Sequence, residues 1–355
     1  MIRPDGTANY CCDVLPALNV DGRPGNLTHD AFDDLWNADE IVQVRAEMAR
    51  GEKPASCGTC WKREAEGGVS RRLLINPIYR QLGGALAVEA LAEQGAATKY
   101  RLERRPDWFV LELGNVCNLK CRSCNPLSSS RVAADRIHAA WMGPARADAA
   151  NGAAWFKDIG KMADTIAAGA QENAMLSLMG GEPFLIDSTW RLLDELVARG
   201  VAPRIYVGLS TNGLQRNANL EKLAPHFRGF NLSVSIDGYG RLYEYLRHGG
   251  TWPKLVENLT WLRAVPNVDV SIVPTLQNSN ALDMVALLRF LDGFDLSLAY
   301  NILNEPARLR ATNLPPSVRR IAAQRLRGYL DAGCRPVNRA VVQAYCEVLE
   351  EPGDA

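Results

Sequence analysis

Two periodicities divide the chain. From Trp108 onward, short apolar runs alternate with stretches whose apolar positions recur every three or four residues. The runs predict strands over 109–113, 175–179, 205–210, 231–236, 269–274 and 296–301. The stretches between them predict helices, among them 188–199, 255–264 and 280–291. Repeated strand–helix units imply an α/β fold with a parallel sheet, open or curled. Six units are too few for a closed eight-stranded barrel. A partial (β/α)6 TIM-like barrel is therefore expected over 108–302, with closing helices in 303–355.

The first part of the chain follows another pattern. Residues 1–78 read as a small module with turn signals at Asp21-Gly22 and Pro24-Gly25 and one helical run over 30–50. In that run Phe32, Leu35, Trp36, Val42, Arg45 and Met48 recur at roughly helical spacing. A module with so little core often needs a metal to hold it together. Residues 79–107 read as a helical bridge ending at Arg104-Arg105-Pro106.

Charge excludes some partners. Across 355 residues, 40 basic side chains balance 40 acidic ones, so no electrostatic case for nucleic acid or an anionic membrane follows. No stretch approaches the ~20 apolar residues of a membrane helix. The opening residues lack the apolar centre of a secretion signal, and a cytoplasmic protein is expected. Nine cysteines then change the picture. They fall as Cys11 and Cys12, Cys57 and Cys60, Cys117, Cys121 and Cys124, then Cys334 and Cys346. Without an export signal, such clustering suggests metal rather than disulfides. Cys334 and Cys346, within helical stretches, read as small buried hydrophobes. His29, His138, His226 and His248 form no ligand spacing and read as surface or cap residues.

The strongest local signal is Asn115-Val116-Cys117-Asn118-Leu119-Lys120-Cys121-Arg122-Ser123-Cys124, directly after a predicted strand. Three thiolates so spaced can hold three corners of a four-iron cube, whereas a ferredoxin adds a fourth cysteine and saturates the iron. Zinc completed by a remote ligand is the alternative. The spacing resembles the radical S-adenosylmethionine (SAM) superfamily, and the later motifs match in order. Met179-Gly180-Gly181-Glu182-Pro183 ends the second strand, Ser210-Thr211-Asn212-Gly213 the third and Ser233-Val234-Ser235-Ile236-Asp237-Gly238 the fourth. The resemblance implies a [4Fe–4S] cluster on Cys117, Cys121 and Cys124. It implies SAM bound by Gly180, Gly181 and Glu182 at its amino group, and by Ser210, Thr211, Asn212, Ser235 and Asp237 at its ribose and carboxylate, with Asn278 a weaker candidate. Ser123 stands where many members carry an aromatic residue near the adenine. The implied chemistry is one-electron reductive cleavage of SAM to a 5′-deoxyadenosyl radical, which abstracts a substrate hydrogen. A reductant such as flavodoxin or ferredoxin is the implied partner.

The amino-terminal cysteines carry a second resemblance. Tyr10-Cys11-Cys12, then Leu35-Trp36-Asn37 and Arg45, then Cys57-Gly58-Thr59-Cys60-Trp61 with Glu64, and Gly68-Val69-Ser70-Arg71 resemble the twitch (short SPASM-like) modules of radical SAM enzymes. These hold an auxiliary [4Fe–4S] cluster, here implied on Cys11, Cys12, Cys57 and Cys60. Adjacent side chains such as Cys11 and Cys12 tend to diverge, and zinc on Cys57 and Cys60 stays open. The better-known modules follow the barrel; this one precedes it. Glu112 alternates with Leu111 and Leu113 and so points to the opposite side from them, the barrel interior being one possibility. Tyr300, Asn301 and Asn304 close the last strand as candidate pocket residues. Implied substrates are small sugar-like molecules, aminocyclitols or peptides, undergoing dehydrogenation, epimerisation or crosslinking. The lack of an obvious peptide-binding winged helix in 1–78 leans toward a small molecule. A competing class is a non-catalytic zinc- or iron–sulfur-binding interaction or electron-transfer protein, which leaves the strand-end glycine and Ser-Thr-Asn-Gly motifs without a role.

Overall fold

In a computed structural model of the chain, which describes residues 1–11, 17–65, 70–81, 88–142 and 158–351, six parallel strands line up in sequence order. They are β1 (Trp108–Glu112), β2 (Ala174–Met179), β3 (Ile205–Thr211), β4 (Gly229–Val234), β5 (Val268–Ile272) and β6 (Ser297–Leu298). Each strand pairs with its neighbours in sequence order, which makes a partial barrel open between β1 and β6. Alternation sets its two faces. Leu111, Leu176, Leu178, Val207, Leu209 and Leu232 are buried under the helices. Ser177, Gly208, Asn231 and Ser233 take the other face, where neighbouring strands put Ser177, Gly208 and Asn231 in one register.

Three expectations shift, each for a local reason. The last strand is short: β6 pairs with β5, whereas Asn301–Ile302 leaves the sheet to pair with Thr275–Leu276. Asn338, from the closing helix Pro336–Glu350, ends the sheet by accepting from Leu298 N–H (2.8 Å) and donating to Leu296 O (3.2 Å). The helix expected from 280 starts at Met284, because Asn280 is spent on the preceding loop. Its Oδ1 accepts from Gln277 N–H and its Nδ2 donates to Asp237 O and Thr275 O. The run over 30–50 is two helices, Phe32–Trp36 and Asp39–Ala49. Between them Asn37 exchanges two side-chain hydrogen bonds with the Leu102 backbone and fastens the end of the bridge.

Helix Arg71–Gln81 runs across the expected boundary at 78, and helix Val88–Ala97 lies within the bridge. At the other end of the chain, Pro316–Asp331 and Pro336–Glu350 are the two closing helices. One contact has no counterpart in the sequence pattern: Ile2 pairs beside β1. Its N–H donates to Val110 O (2.8 Å), and its carbonyl accepts from Glu112 N–H (2.9 Å). The Ile2 side chain, 3% exposed, joins Phe109 and Leu111 in the large core. Among the described residues, the module's own core is Ala8, Leu18, Leu35, Ala38 and Ile41.

Candidate active site

The loop carrying the three cysteines leaves the carboxyl end of β1 and lies along the loop that follows β2. Leu113 N–H donates to Met179 O (2.7 Å) and Glu182 N–H to Val116 O (2.7 Å). Two glycines permit this approach. Gly180 has φ +104°, and a Cβ there would stand 2.7 Å from Gly114 O; a Cβ on Gly181 would collide with Val116 O. On the other side, Lys120 N–H donates to His248 O (2.9 Å) and Arg122 N–H to Leu246 O (2.8 Å). Ser129 donates to Leu119 O (2.7 Å) from within.

So anchored, Cys117, Cys121 and Cys124 line one cavity of about 600 Å³ together with Gly180, Gly181, Ser210, Thr211, Asn212 and Ser235. Burial pushes all three thiols up, Cys121 to about 11 and Cys124 to about 12. Their thiolates therefore form readily only when a cation compensates the charge.

Two acidic residues of the strand-end motifs sit behind the cavity wall rather than on it. Glu182 is fully buried. Its Oε1 accepts from Thr211 Oγ1 (2.7 Å) and Phe184 N–H (3.1 Å), and its Oε2 from Asn212 N–H (2.7 Å). Burial pushes this carboxyl up, against the three hydrogen bonds and Arg247, which favour its charge. Glu182 thus ties the loop after β2 to the loop after β3, and Asn212 Nδ2 ties that loop to Asn118 Oδ1 (2.8 Å) in the cysteine loop. Asp237 accepts from Thr275 N–H (2.9 Å) and pairs with Arg247 Nη2 (2.9 Å). Asn278 is spent elsewhere, donating to Leu309 O and Arg308 O, and is not among the described residues that line the cavity.

Arg247 is the residue the motif reading missed. It lines the cavity, its Nη1 lies 3.9 Å from Cys121 Sγ, and its Nε is buried with no hydrogen-bond partner among the described residues. Burial works against its charge, yet Asp237 beside it holds the guanidinium above its usual range. Also unforeseen on this wall are Met1, Arg3, Pro4 and Asp5. Glu112 faces the same cavity, and burial pushes its carboxyl up against the pull of Arg3. His138 is buried rather than at the surface, with Nε2 unpartnered among the described residues. The donor set suits an iron–sulfur cube and a zwitterionic ligand: three thiols, strand-end hydroxyls and amides, and a buried cation with an open N–H, all on one cavity.

Of the second cysteine group, Cys57 lies within electrostatic reach of Cys11 and Cys60, although the three do not form a ready-made metal cluster among the described residues. Cys57 ends the turn Ala55–Cys57 and Cys60 lies in the helix Gly58–Ala65. Burial pushes the Cys57 thiol up, with Cys11 and Cys60 close enough to add to the effect. Cys12 lies outside the described residues, as do Gly68 and Val69. Trp61 donates to Pro54 O (3.2 Å), and the Arg72 guanidinium lies 4.4 Å from its ring centre while pairing with Glu64. Cys334 and Cys346 are buried in the barrel core. Tyr300 accepts from Arg63 of the cysteine-bearing helix (3.2 Å), so this candidate pocket residue meets the module.

Sequence comparison agrees with the geometry. The Radical SAM superfamily profile matches residues 111–291, more than half of the chain. The chain belongs to the radical SAM superfamily. The profile of SPASM, an iron–sulfur cluster-binding domain, matches residues 1–61, ahead of the barrel. The cofactors of this radical SAM protein are accordingly a [4Fe–4S] cluster, SAM and an auxiliary iron–sulfur centre. No curated protein matches the chain. Among solved structures, native anSMEcpe with bound AdoMet is 16% identical, with a TM-score of 0.49 over 63% of this chain and 60% of that one. Streptococcus suis SuiB is 14% identical, with a TM-score of 0.47 over 88% and 67%. TYW1 with a lysine-pyruvate adduct bound is 14% identical, with a TM-score of 0.37 over 59% and 69%. The radical SAM chain thus spans about 60% of the length of anSMEcpe. No helix among the described residues is long and apolar enough to cross a membrane.

Proposed function

We propose that this chain is a radical SAM enzyme that abstracts a hydrogen atom from a polar, sugar-like small molecule or a peptide, leading to dehydrogenation, epimerisation or crosslinking. The observation that carries the reading is the shared cavity, where three thiols, the Gly180-Gly181 turn, the ends of β3 and β4 and the Arg247 guanidinium meet. When bound there, the cluster and SAM together supply a 5′-deoxyadenosyl radical by one-electron reduction of the sulfonium. Cys117, Cys121 and Cys124 hold the cluster and leave one iron open. Gly180, Gly181, Ser210, Thr211, Asn212 and Ser235 bind SAM from the wall. Glu182, behind the wall, acts on SAM by holding together the two loops that bind it, and Asp237 acts through Arg247, whose open Nε suits an anionic group. Asn278 contributes least, being spent on its own loop.

The same proposal divides the chain into an auxiliary module (1–78), a bridge (79–107), the radical SAM barrel (108–302) and closing helices (303–355). Cys11, Cys12, Cys57 and Cys60 hold the auxiliary cluster. A flavodoxin- or ferredoxin-like donor supplies the electron in a reducing, cytoplasmic setting, where clustered thiols stay available to metal. Polar side chains on the far wall, Arg3, Asp5 and Glu112, support a polar substrate.

The test is anaerobic purification, reduction with dithionite and addition of SAM. Formation of 5′-deoxyadenosine with about eight irons per chain is expected for two four-iron clusters. Reduced, iron-replete protein that forms no 5′-deoxyadenosine with any candidate sugar or peptide would sink the enzyme reading.

A further inference from the structure

Residues 1–5 belong to both halves of the molecule. Through Ile2 they extend the open edge of the sheet beside β1, and through Met1, Arg3, Pro4 and Asp5 they complete the wall of the SAM cavity next to Glu112. Glu112 is linked to them twice, since its N–H donates to Ile2 O and its carboxyl feels Arg3 and Asp5. That carboxyl makes no hydrogen bond or ion pair among the described residues, so it is an acceptor open toward the cavity.

The strap in turn depends on the module. Asn26 Nδ2 donates to Asp5 O (2.7 Å), Leu27 N–H to Gly6 O (3.0 Å) and Leu18 N–H to Ala8 O (2.8 Å). Three residues after Ala8, the chain reaches Cys11, within electrostatic reach of Cys57 though not yet part of a metal cluster among the described residues. The module also touches the other edge of the open barrel, where Arg63 donates to Tyr300 beyond β6 (3.2 Å). Yet its own core among the described residues is small, Ala8, Leu18, Leu35, Ala38 and Ile41. Joining Cys11 to Cys57 and Cys60 through metal closes a long loop across that core, and metal binding of this kind is coupled to folding.

We infer that the auxiliary centre positions the substrate-facing wall of the SAM cavity. Metal held by Cys11, Cys57 and Cys60 keeps residues 1–5 docked on β1, and with them Arg3, Asp5 and Glu112, which offer donors and acceptors to a polar substrate. This rests on reading those cysteines as an iron–sulfur site, and the two ideas fail in different ways.

Amide exchange resolved to single residues decides it, comparing anaerobically prepared wild type with Cys57→Ser/Cys60→Ser. The variant should hold about four irons against about eight. Its Ile2 and Glu112 amides, which bridge strap and barrel, should exchange at least tenfold faster, while Leu209 and Leu232 in the sheet centre keep their protection. SAM affinity should not change. If the auxiliary irons are lost and Ile2 and Glu112 exchange as slowly as before, the inference is overturned. A wild type with only four irons would instead remove the auxiliary centre itself. Should the double variant not fold, Cys11→Ser carries the same comparison, with slow Glu112 exchange after iron loss again overturning the inference.

Discussion

The barrel and the amino-terminal module each gather cysteines, but they support them by opposite means. Around Cys117, Cys121 and Cys124 the loops are held by protein: backbone contacts to Met179, Val116, Leu246 and His248, and the buried Glu182 carboxylate joining two strand ends. Beneath them lies the large core that runs through all six strands and both closing helices. Around Cys11, Cys57 and Cys60 the support, among the described residues, is a small core around Leu18, Leu35 and Ile41 and partly exposed contacts such as Arg72 with Glu64. A binding site can thus be pre-formed by its scaffold, or its metal can be part of the scaffold. The first arrangement suits a cofactor that must be reached by a second ligand, because the open position survives only if the surroundings do not need it filled.

The largest expected effect separates chemistry from folding in the barrel. Cys117→Ala/Cys121→Ala/Cys124→Ala should remove about four irons and lower 5′-deoxyadenosine formation by at least about a thousandfold. The melting temperature should move by only a few degrees. A collapse in thermal stability of the same size as the loss of activity would show that the barrel, too, needs its metal.

Metal removal should then split the molecule. With an iron chelator, protease sites within 17–65 should open well before those within 158–351, a difference readable by mass spectrometry of the fragments. Simultaneous digestion of both regions would erase the contrast.

Glu182 tests the protein-built support directly. Glu182→Ala leaves the Thr211 hydroxyl and two backbone N–H groups buried without an acceptor, and should cost about 3 kcal/mol in urea unfolding. Glu182→Gln, which keeps the shape and one carbonyl oxygen, should cost about 1–2 kcal/mol. Equal stability of Ala and wild type would mean that the loops are held by something else.

The smallest effects come from a pair of glycines. Gly180→Ala meets both a φ of +104° and the Gly114 carbonyl, and should destabilise by about 2 kcal/mol. Gly58→Ala meets open space at an ordinary helical φ and should be neutral or stabilising by up to about 1 kcal/mol. Equal effects at the two sites would remove the local basis of the comparison.

Much of the barrel was legible because its signals are local. Short apolar runs locate β1 to β5 within two residues of their observed ends, since a strand packed under helices imposes that composition on each residue directly. Arg247 was not legible. It stands ten residues after Asp237, just past the short helix Arg241–Leu246, and only the packing of 118–122 against 246–248 buries it beside Cys121. The strap was not legible either, because a single residue pair at a sheet edge leaves no periodicity to read.

Sequence alone determined the ligand chemistry. Cysteine spacing, glycines that tolerate backbone contact and the order of strand-end motifs are properties of neighbouring residues, and they survive in any fold that keeps the segments intact. Tertiary structure decided which polar groups face the cavity and which stand behind it. Glu182 and Asp237 look equivalent to Ser210 and Ser235 in a motif, yet three hydrogen bonds bury the first and an arginine the second. A charged group leaves water only where partners from elsewhere in the chain converge on it, and that convergence is a long-range fact no local pattern records.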